Sequence, residues 1–460
     1  MVRCISPVDG SVYVERPYAS AGEVETAVAR AVAAQRAWRE TPLAKRAERC
    51  GALVEAFKAD TPRHAEELAR QMGRPIRYGA GEVRGFEERA RTMIRLAQDA
   101  LADIALPEKE GFTRFIRREP VGVLLTVAPW NYPYLTAVNS VIPALLAGNA
   151  VLLKHSHQTP LCAERMVDAG IAAGLPEGLF QCLHLSRGQT AELIRNKAIG
   201  AVAFTGSVAG GEEIERAAAG RFIPVGLELG GKDPAYVRPD CDMKHTIENV
   251  VDGAFFNSGQ SCCGIERVYV HADVYDEFVE GALALTKQYV LGNPLEESTT
   301  LGPMVRASAA DFVRGQVEEA IARGARALVD TALFPLDQPG SPYMAPQILV
   351  DVDHSMRVMH EETFGPVMGI MKVSSDAEAI ALMNDSDLGL TASLWTRDVE
   401  AALEIGDRIE TGTVFLNRCD YLDPELAWTG VKNTGRGCTL SKLGYEQLTR
   451  PKSYHYRTTI

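Results

Sequence analysis

Between Val121 and about residue 228, short aliphatic runs alternate with stretches of helical periodicity, and this alternation limits the chain more than any other feature. The runs are VGVLLTV at 121–127, AVLLK at 150–154, AVAF at 201–204 and FIPVGLE at 222–228; the helical stretches lie near 134–147, 160–173, 188–196 and 207–219. A run too short for a helix and apolar on both faces is a strand covered on both sides, and strand–helix–strand repetition signals parallel crossovers. An α/β fold around a doubly covered parallel sheet follows, with ligands expected at the carboxyl ends of the strands. A second alternation from about 234 to 416, with strand candidates at 266–270, 366–373 and 391–395, predicts a second α/β domain. No Ser/Gly-rich or charged linker separates the two, so they are expected to share a cleft.

The first hundred residues read as mostly helical. Ser20 and Glu23 form a capping box, and Thr41-Pro42 and Thr61-Pro62 each place a cap residue before a proline suited to a first helical turn. The polar segment FTRFIRRE at 112–119 fits neither sheet and reads as an exposed edge strand used in assembly. Forty-eight Lys and Arg against 60 Asp and Glu leave a formal charge of −12, the wrong field for duplex nucleic acid or an anionic bilayer. Residues 121–153 carry no charge, yet Pro129, Pro133 and Pro143 interrupt them, which suits buried strand, loop and helix better than a membrane span. The opening residues read as neither a secretory signal nor a transit peptide, so a cytoplasmic address is the default expectation. Nine scattered cysteines without a C-x-x-C pair indicate neither a disulfide framework nor a zinc site, and no metal is expected.

Several segments carry chemistry. The dinucleotide fingerprint G-x-G-x-x-G is absent. Gly226 to Lys232 has P-loop spacing, but Asp233 stands where a magnesium ligand is needed, which argues against a phosphotransferase. Thr205-Gly206-Ser207 joins a buried strand to a helix, so it is either an ordinary turn or a place where backbone N–H groups and a helix dipole meet a phosphate. Cys262 and Cys263 lie in FFNSGQSCCGIERV, a glycine-bearing loop that suits a reachable thiol as well as a buried structural one. Glu228 closes an apolar strand before two glycines, a place for either a desolvated general base or a solvated carboxylate. Asn131, between prolines just past a strand, is a rigid amide or a turn former, and Lys154 ends the neighbouring strand.

Taken together, PWNYP, VLLKHSHQTP, FTGS, LELGGK, GQSC, EETFGPV and GVKNTGRG resemble the aldehyde dehydrogenase superfamily, in its order, from about Ser6 to the C-terminus. The resemblance implies two doubly wound α/β domains plus a small β oligomerisation arm. The cofactor-binding domain would span 1–101 and 121–228, the catalytic domain 229–430, and the arm 102–120 with 446–460. It makes Cys262, rather than Cys263, the nucleophile, Glu228 the general base and Asn131 the oxyanion donor. Lys154 is grouped with these catalytic residues and also with the cofactor residues Trp130, His157, Gly206, Ser207, Glu362 and Phe364. The implied reaction is hydrolytic oxidation of an aldehyde to a carboxylic acid through a Cys thiohemiacetal and thioester, with NAD or NADP as cofactor. A homodimer or homotetramer is implied. A catalytically silent relative is the second reading, and the intact Cys262, Glu228 and Asn131 speak against it.

Two departures from the family pattern set further expectations. His155 and His157 replace the Pro and Glu of Lys-Pro-x-Glu, so the acidic ribose clamp is missing and NADP is expected to be accepted, with a protonated His157 attracting its phosphate or a neutral one serving NAD. Asn139 and Phe256 stand where the succinic semialdehyde branch has arginines, which reads against a dicarboxylate semialdehyde. Tyr132, Phe256, Tyr421 and Trp428, with Asp420 nearby, are expected to line the pocket, either for a cationic amino aldehyde through cation–π attraction or as a plain apolar tunnel for aliphatic or aromatic aldehydes.

Overall fold

The computed structural model describes residues 1–419 and 421–460. The aliphatic runs form strands close to their expected places. Val225–Glu228, Ile199–Thr205, Val123–Ala128, Ala150–His155 and Phe180–Cys182 lie side by side in parallel, with Gly435–Arg436 antiparallel at one edge. Val123–Ala128, the first of these in sequence, pairs with Ile199–Thr205 on one side and Ala150–His155 on the other. The chain winds away from it in both directions, so a crevice opens between the carboxyl ends of Val123–Ala128 and Ile199–Thr205. The charge-free stretch runs through this sheet as strand, loop and the almost wholly buried helix Pro133–Ala147. Among the described residues no helix is long and apolar enough to cross a membrane.

The second sheet orders Gln347–Val350, Val367–Val373, Ile265–His271, Asp233–Val237, Thr391–Trp395 and Thr413–Leu416 in parallel, with the two-residue strand Arg326–Ala327 antiparallel at its edge. One large apolar cluster surrounds the first sheet and separate clusters cover the faces of the second.

The N-terminal region is helical as expected: Ala21–Trp38, Leu43–Lys58, Thr61–Met72 and Ile76–Ala100. A hairpin, Val2–Ile5 with Val12–Arg16, precedes them. Ser20 and Glu23 make the expected capping box. Thr41 and Thr61 do not cap: Pro42 and Asp60 hold the cap positions, and the Thr hydroxyls donate back to Ala37 O at 3.5 Å and Lys58 O at 2.6 Å. Carbonyls left open at the end of the preceding helix compete successfully for them.

The expected edge strand is instead a central one. Phe112–Pro120 pairs along its whole length with Thr449–Arg457 on one side and with Ile104–Ala105 on the other. Phe115 stacks on Tyr454 at 4.4 Å between ring centroids, and the Arg117 guanidinium lies 5.0 Å from the Tyr454 ring. The C-terminal strand thus supplies a partner that the segment's own polar composition does not reveal.

Candidate active site

The crevice at the strand ends leads to Cys262. This residue follows a tight turn in which Asn257 and Ser258 take left-handed backbone conformations, φ 54° and 56°, an arrangement that non-glycine residues adopt only when surroundings enforce it. The surroundings are visible. Ser258 Oγ donates to Gly302 O at 2.7 Å, and the Asn257 amide donates to Asn131 O at 3.3 Å and Gln260 O at 3.1 Å. The loop then rests on the two glycines after Glu228. A Cβ on Gly231 would stand 2.1 Å from Cys262 O, and one on Gly230 would stand 2.6 Å from the Glu362 carboxylate. Only bare backbone lets the nucleophile loop and the Glu362 side chain approach so closely.

Cys262 is half-buried and lines two cavities, one with Trp130, Asn131, Glu362 and Phe364, the other with Glu228, Tyr132 and Trp428. Cys263 is buried and lines only the second. The hydrogen bond with Cys263, burial, and the negative charges of Asp233 and Glu228 hold the Cys262 thiol well above its ordinary pKa.

Asn131 is held from below. The buried Arg74 guanidinium donates to Asn131 O at 2.6 Å while pairing with buried Glu82, whose other oxygen accepts from Tyr134 N at 2.8 Å. This leaves the Asn131 side-chain amide without a partner among the described residues, lining the cavity that contains Cys262. Glu228 sits at the end of its strand with both oxygens engaged: Thr205 Oγ1 donates to one at 3.0 Å and Thr439 Oγ1 to the other at 2.5 Å. Burial pushes its pKa up, and the two hydroxyls and Arg89 oppose that rise.

The cofactor residues fall into two adjoining cavities that share Ser207. Trp130, Gly206, Glu362 and Phe364 line the inner one with Cys262, with Trp130 edge-on to Phe364 at 5.6 Å. Lys154, Arg187, Thr190 and Gly210 line the outer one. Ser207 caps the helix Val208–Ala218, accepting from Gly210 N at 3.2 Å, so a helix N-terminus opens into this groove. Burial, with Arg187 beside it, lowers the Lys154 pKa to about 8, and no carboxylate pairs with it among the described residues. A half-buried cation facing a groove at a helix N-terminus fits an anionic dinucleotide. The grouping of Lys154 with the catalytic residues does not hold: its strand delivers it to the outer cavity, away from Cys262. His157 is also displaced from its expected role. Its Nε2 bonds Leu185 O at 2.9 Å and burial lowers its pKa, so the outer-cavity cations are Lys154 and Arg187.

The Glu362 loop is anchored by residues that the sequence does not flag. Lys232 and Glu266 form a fully buried ion pair at 2.5 Å; Lys232 Nζ also donates to Thr363 Oγ1 at 2.9 Å, and Glu266 accepts from Thr363 N and Phe364 N, each at 2.8 Å. Lys232 is thereby committed to the protein, and Asp233 accepts from Thr391 N and Oγ1, which removes the P-loop reading. The adjacent charges Glu266 and Arg267 in a strand that is otherwise mostly apolar are the available hint. Burial lifts the Glu362 pKa to about 7.

Of the expected substrate residues, Tyr132 and Trp428 line the tunnel. Phe256 packs on Tyr78 at 5.1 Å and lies outside it, Tyr421 donates to Glu88, and Asp420 lies outside the described residues. Leu422, not singled out, lines the tunnel instead. Two of the expected rings already face a guanidinium: Arg74 lies 4.4 Å from the Tyr132 ring and Arg418 lies 4.2 Å from Tyr421, and buried Arg89 lines the tunnel.

Comparison with known proteins places this geometry in a family. The chain is 34% identical over 457 residues to succinate-semialdehyde dehydrogenase [NADP(+)] 1 of Mycobacterium tuberculosis, covering 98% of this chain and 99% of the relative. It is 35% identical over 462 residues to 3,6-anhydro-alpha-L-galactose dehydrogenase of Streptomyces coelicolor, covering 99% and 93%. The structure of succinic semialdehyde dehydrogenase from Streptococcus pyogenes in complex with NADP+ superposes with a TM-score of 0.94 at 28% identity, covering 99% and 100%. The model of the aldehyde dehydrogenase family matches residues 1–454, and the two-sheet architecture around a reachable cysteine agrees with it: the chain belongs to the aldehyde dehydrogenase family.

Proposed function

We propose that the protein oxidises an aldehyde to a carboxylic acid with NADP or NAD as hydride acceptor. The observation that carries this reading is the position of Cys262, which lines both the groove suited to a dinucleotide and the tunnel that holds Glu228. Attack by the Cys262 sulfur on the aldehyde carbon forms a thiohemiacetal whose oxyanion is received by the Asn131 amide. A bound nicotinamide would supply the hydride acceptor, and collapse of the oxyanion held by Asn131 as the hydride leaves the former aldehyde carbon would give the Cys262 thioester. Glu228 then takes a proton from the water that hydrolyses the Cys262 thioester, and Cys262 is regenerated. Trp130, Phe364 and Glu362 are proposed to position the nicotinamide end; Gly206, Ser207 and Lys154 are proposed to hold the phosphates. NADP is favoured by Lys154 and Arg187 in the outer cavity and by the NADP of the mycobacterial and streptococcal relatives. The three-stranded sheet is proposed as the assembly surface of a dimer or tetramer. The test is formation of reduced cofactor by purified protein with a panel of aldehydes; none with either cofactor overturns the reading.

A further inference from the structure

The helix Ile76–Ala100 sends one side chain into the tunnel that its sequence gives no reason to single out. Arg89 is 8% exposed and lines the tunnel with Tyr132, Asn139, Cys262 and Trp428. Its Nη1 donates to Leu135 O at 2.8 Å and to Asn139 Oδ1 at 3.2 Å. Among the described residues no carboxylate pairs with it, and Nε and Nη2 donate to no protein acceptor. Neither nitrogen is sealed off from accessible surface, and Arg89 is one of the residues that line the tunnel. Glu228 shares the tunnel and its charge acts on Arg89, but its oxygens accept from Thr205 and Thr439 and no hydrogen bond joins it to the guanidinium. A buried guanidinium with neutral acceptors on one edge only keeps donors whose lost solvation that distant charge does not replace.

We infer that the aldehyde substrate carries a carboxylate at its far end and that the open Nε and Nη2 edge of Arg89 receives it. This rests on the reading of Cys262 as the nucleophile that fixes the other end. A planar fork with one positive charge matches a carboxylate in shape and charge. A phosphate ester, with close to two charges, calls for a second cation, and among the described residues lining the tunnel Arg89 is the only Lys or Arg. The sequence reads against a dicarboxylate semialdehyde because Asn139 replaces an arginine. Arg89 is hydrogen-bonded to that same Asn139, so positive charge reaches this wall from a different helix.

The experiment compares kcat/KM for succinic semialdehyde, pentanal, 4-aminobutanal, glyceraldehyde and glyceraldehyde 3-phosphate in the wild-type protein and in Arg89→Met and Arg89→Lys. The wild type is expected to prefer succinic semialdehyde over pentanal and 4-aminobutanal by about 100-fold or more, because an unmet buried donor pair rejects analogues lacking the acceptor. Arg89→Met collapses that ratio to about 10-fold or less by raising KM for the carboxylate, and Arg89→Lys keeps part of it. An arginine that merely ties two helices together would, on replacement, slow all five aldehydes together and leave the ratio intact, which overturns the inference. Equal or better use of pentanal, 4-aminobutanal or glyceraldehyde by the wild type overturns it without any variant. Preference for the phosphate ester overturns the carboxylate assignment. Oxidation of none of the five overturns the Cys262 reading itself, and this inference with it.

Discussion

Cys262 and Cys263 are neighbours with unequal standing. Cys262→Ser is expected to abolish oxidation, with kcat lower by at least about 1,000-fold, while Cys263→Ser retains most activity; comparable losses in steady-state assays of both would show the nucleophile misassigned. Because the hydrogen bond with Cys263 is the largest cause of the raised Cys262 pKa, Cys263→Ala should lower that pKa and speed alkylation of Cys262 by iodoacetamide at neutral pH. Two further groups set pH dependence. Glu228 is raised by burial, so it is protonated and idle at low pH and works as a base only as pH rises through its shifted value; hydrolysis of the thioester should follow that limb. Lys154 runs the other way: it is charged below about 8, so kcat/KM for NADP should fall as pH rises through that value. Each of Cys262, Glu228 and Asn131 read alone equally as a structural thiol, a solvated carboxylate or a turn former, and only the order of the motifs singled them out; the structure brings them to two cavities that meet at Cys262. Arg74, in the loop before the helix Ile76–Ala100, and Arg89 and Arg187, on helices, were not legible in the sequence, because an arginine facing solvent and one turned inward look alike until the packing is known.

At the scale of elements, the nucleophile loop and the Glu362 loop are held by close backbone contact and one buried ion pair. Gly231→Ala brings a methyl group against Cys262 O, so a folded protein with activity reduced by more than about 100-fold is expected, checked by circular dichroism beside the assay. Glu266→Gln leaves Lys232 buried without its counter-charge, which should cost about 3 kcal/mol or more in denaturant unfolding and raise KM for the cofactor, because one of the two oxygens shared by Lys232, Thr363 N and Phe364 N becomes an amide donor. An unchanged unfolding midpoint would contradict the anchoring role. The strands around the first sheet were readable to within a few residues, since fully covered strands need apolar runs. The threonine caps were not, because they depend on an open carbonyl of the previous helix, and Phe112–Pro120 read as an edge strand from its own composition, its pairing with the strand more than 300 residues away being implied only by the resemblance.

The whole molecule brings the two sheets to one cleft and sets a third, polar sheet aside. That third sheet exposes Ile104 and Tyr456, 42% and 56% accessible in the single chain. If it is the assembly surface, Ile104→Asp combined with Tyr456→Asp should shift the protein toward monomer in light scattering without changing its circular dichroism; an unaltered mass would place assembly elsewhere. Residues 121–153, which looked like a span by composition, are the interior of the cofactor-side sheet, where burial by protein takes the place of lipid.

In the proposed reaction Cys262 carries the acyl group and Glu228 activates the water that releases it. The most direct measurement is mass spectrometry of the Glu228→Gln protein after mixing with succinic semialdehyde and NADP. The account predicts an acyl adduct on the peptide bearing Cys262, placed on that residue by its absence in the Cys262→Ser, Glu228→Gln double variant, together with about one equivalent of NADPH per site. An adduct that persists in the double variant, or a burst of NADPH with no acylated cysteine, would contradict it.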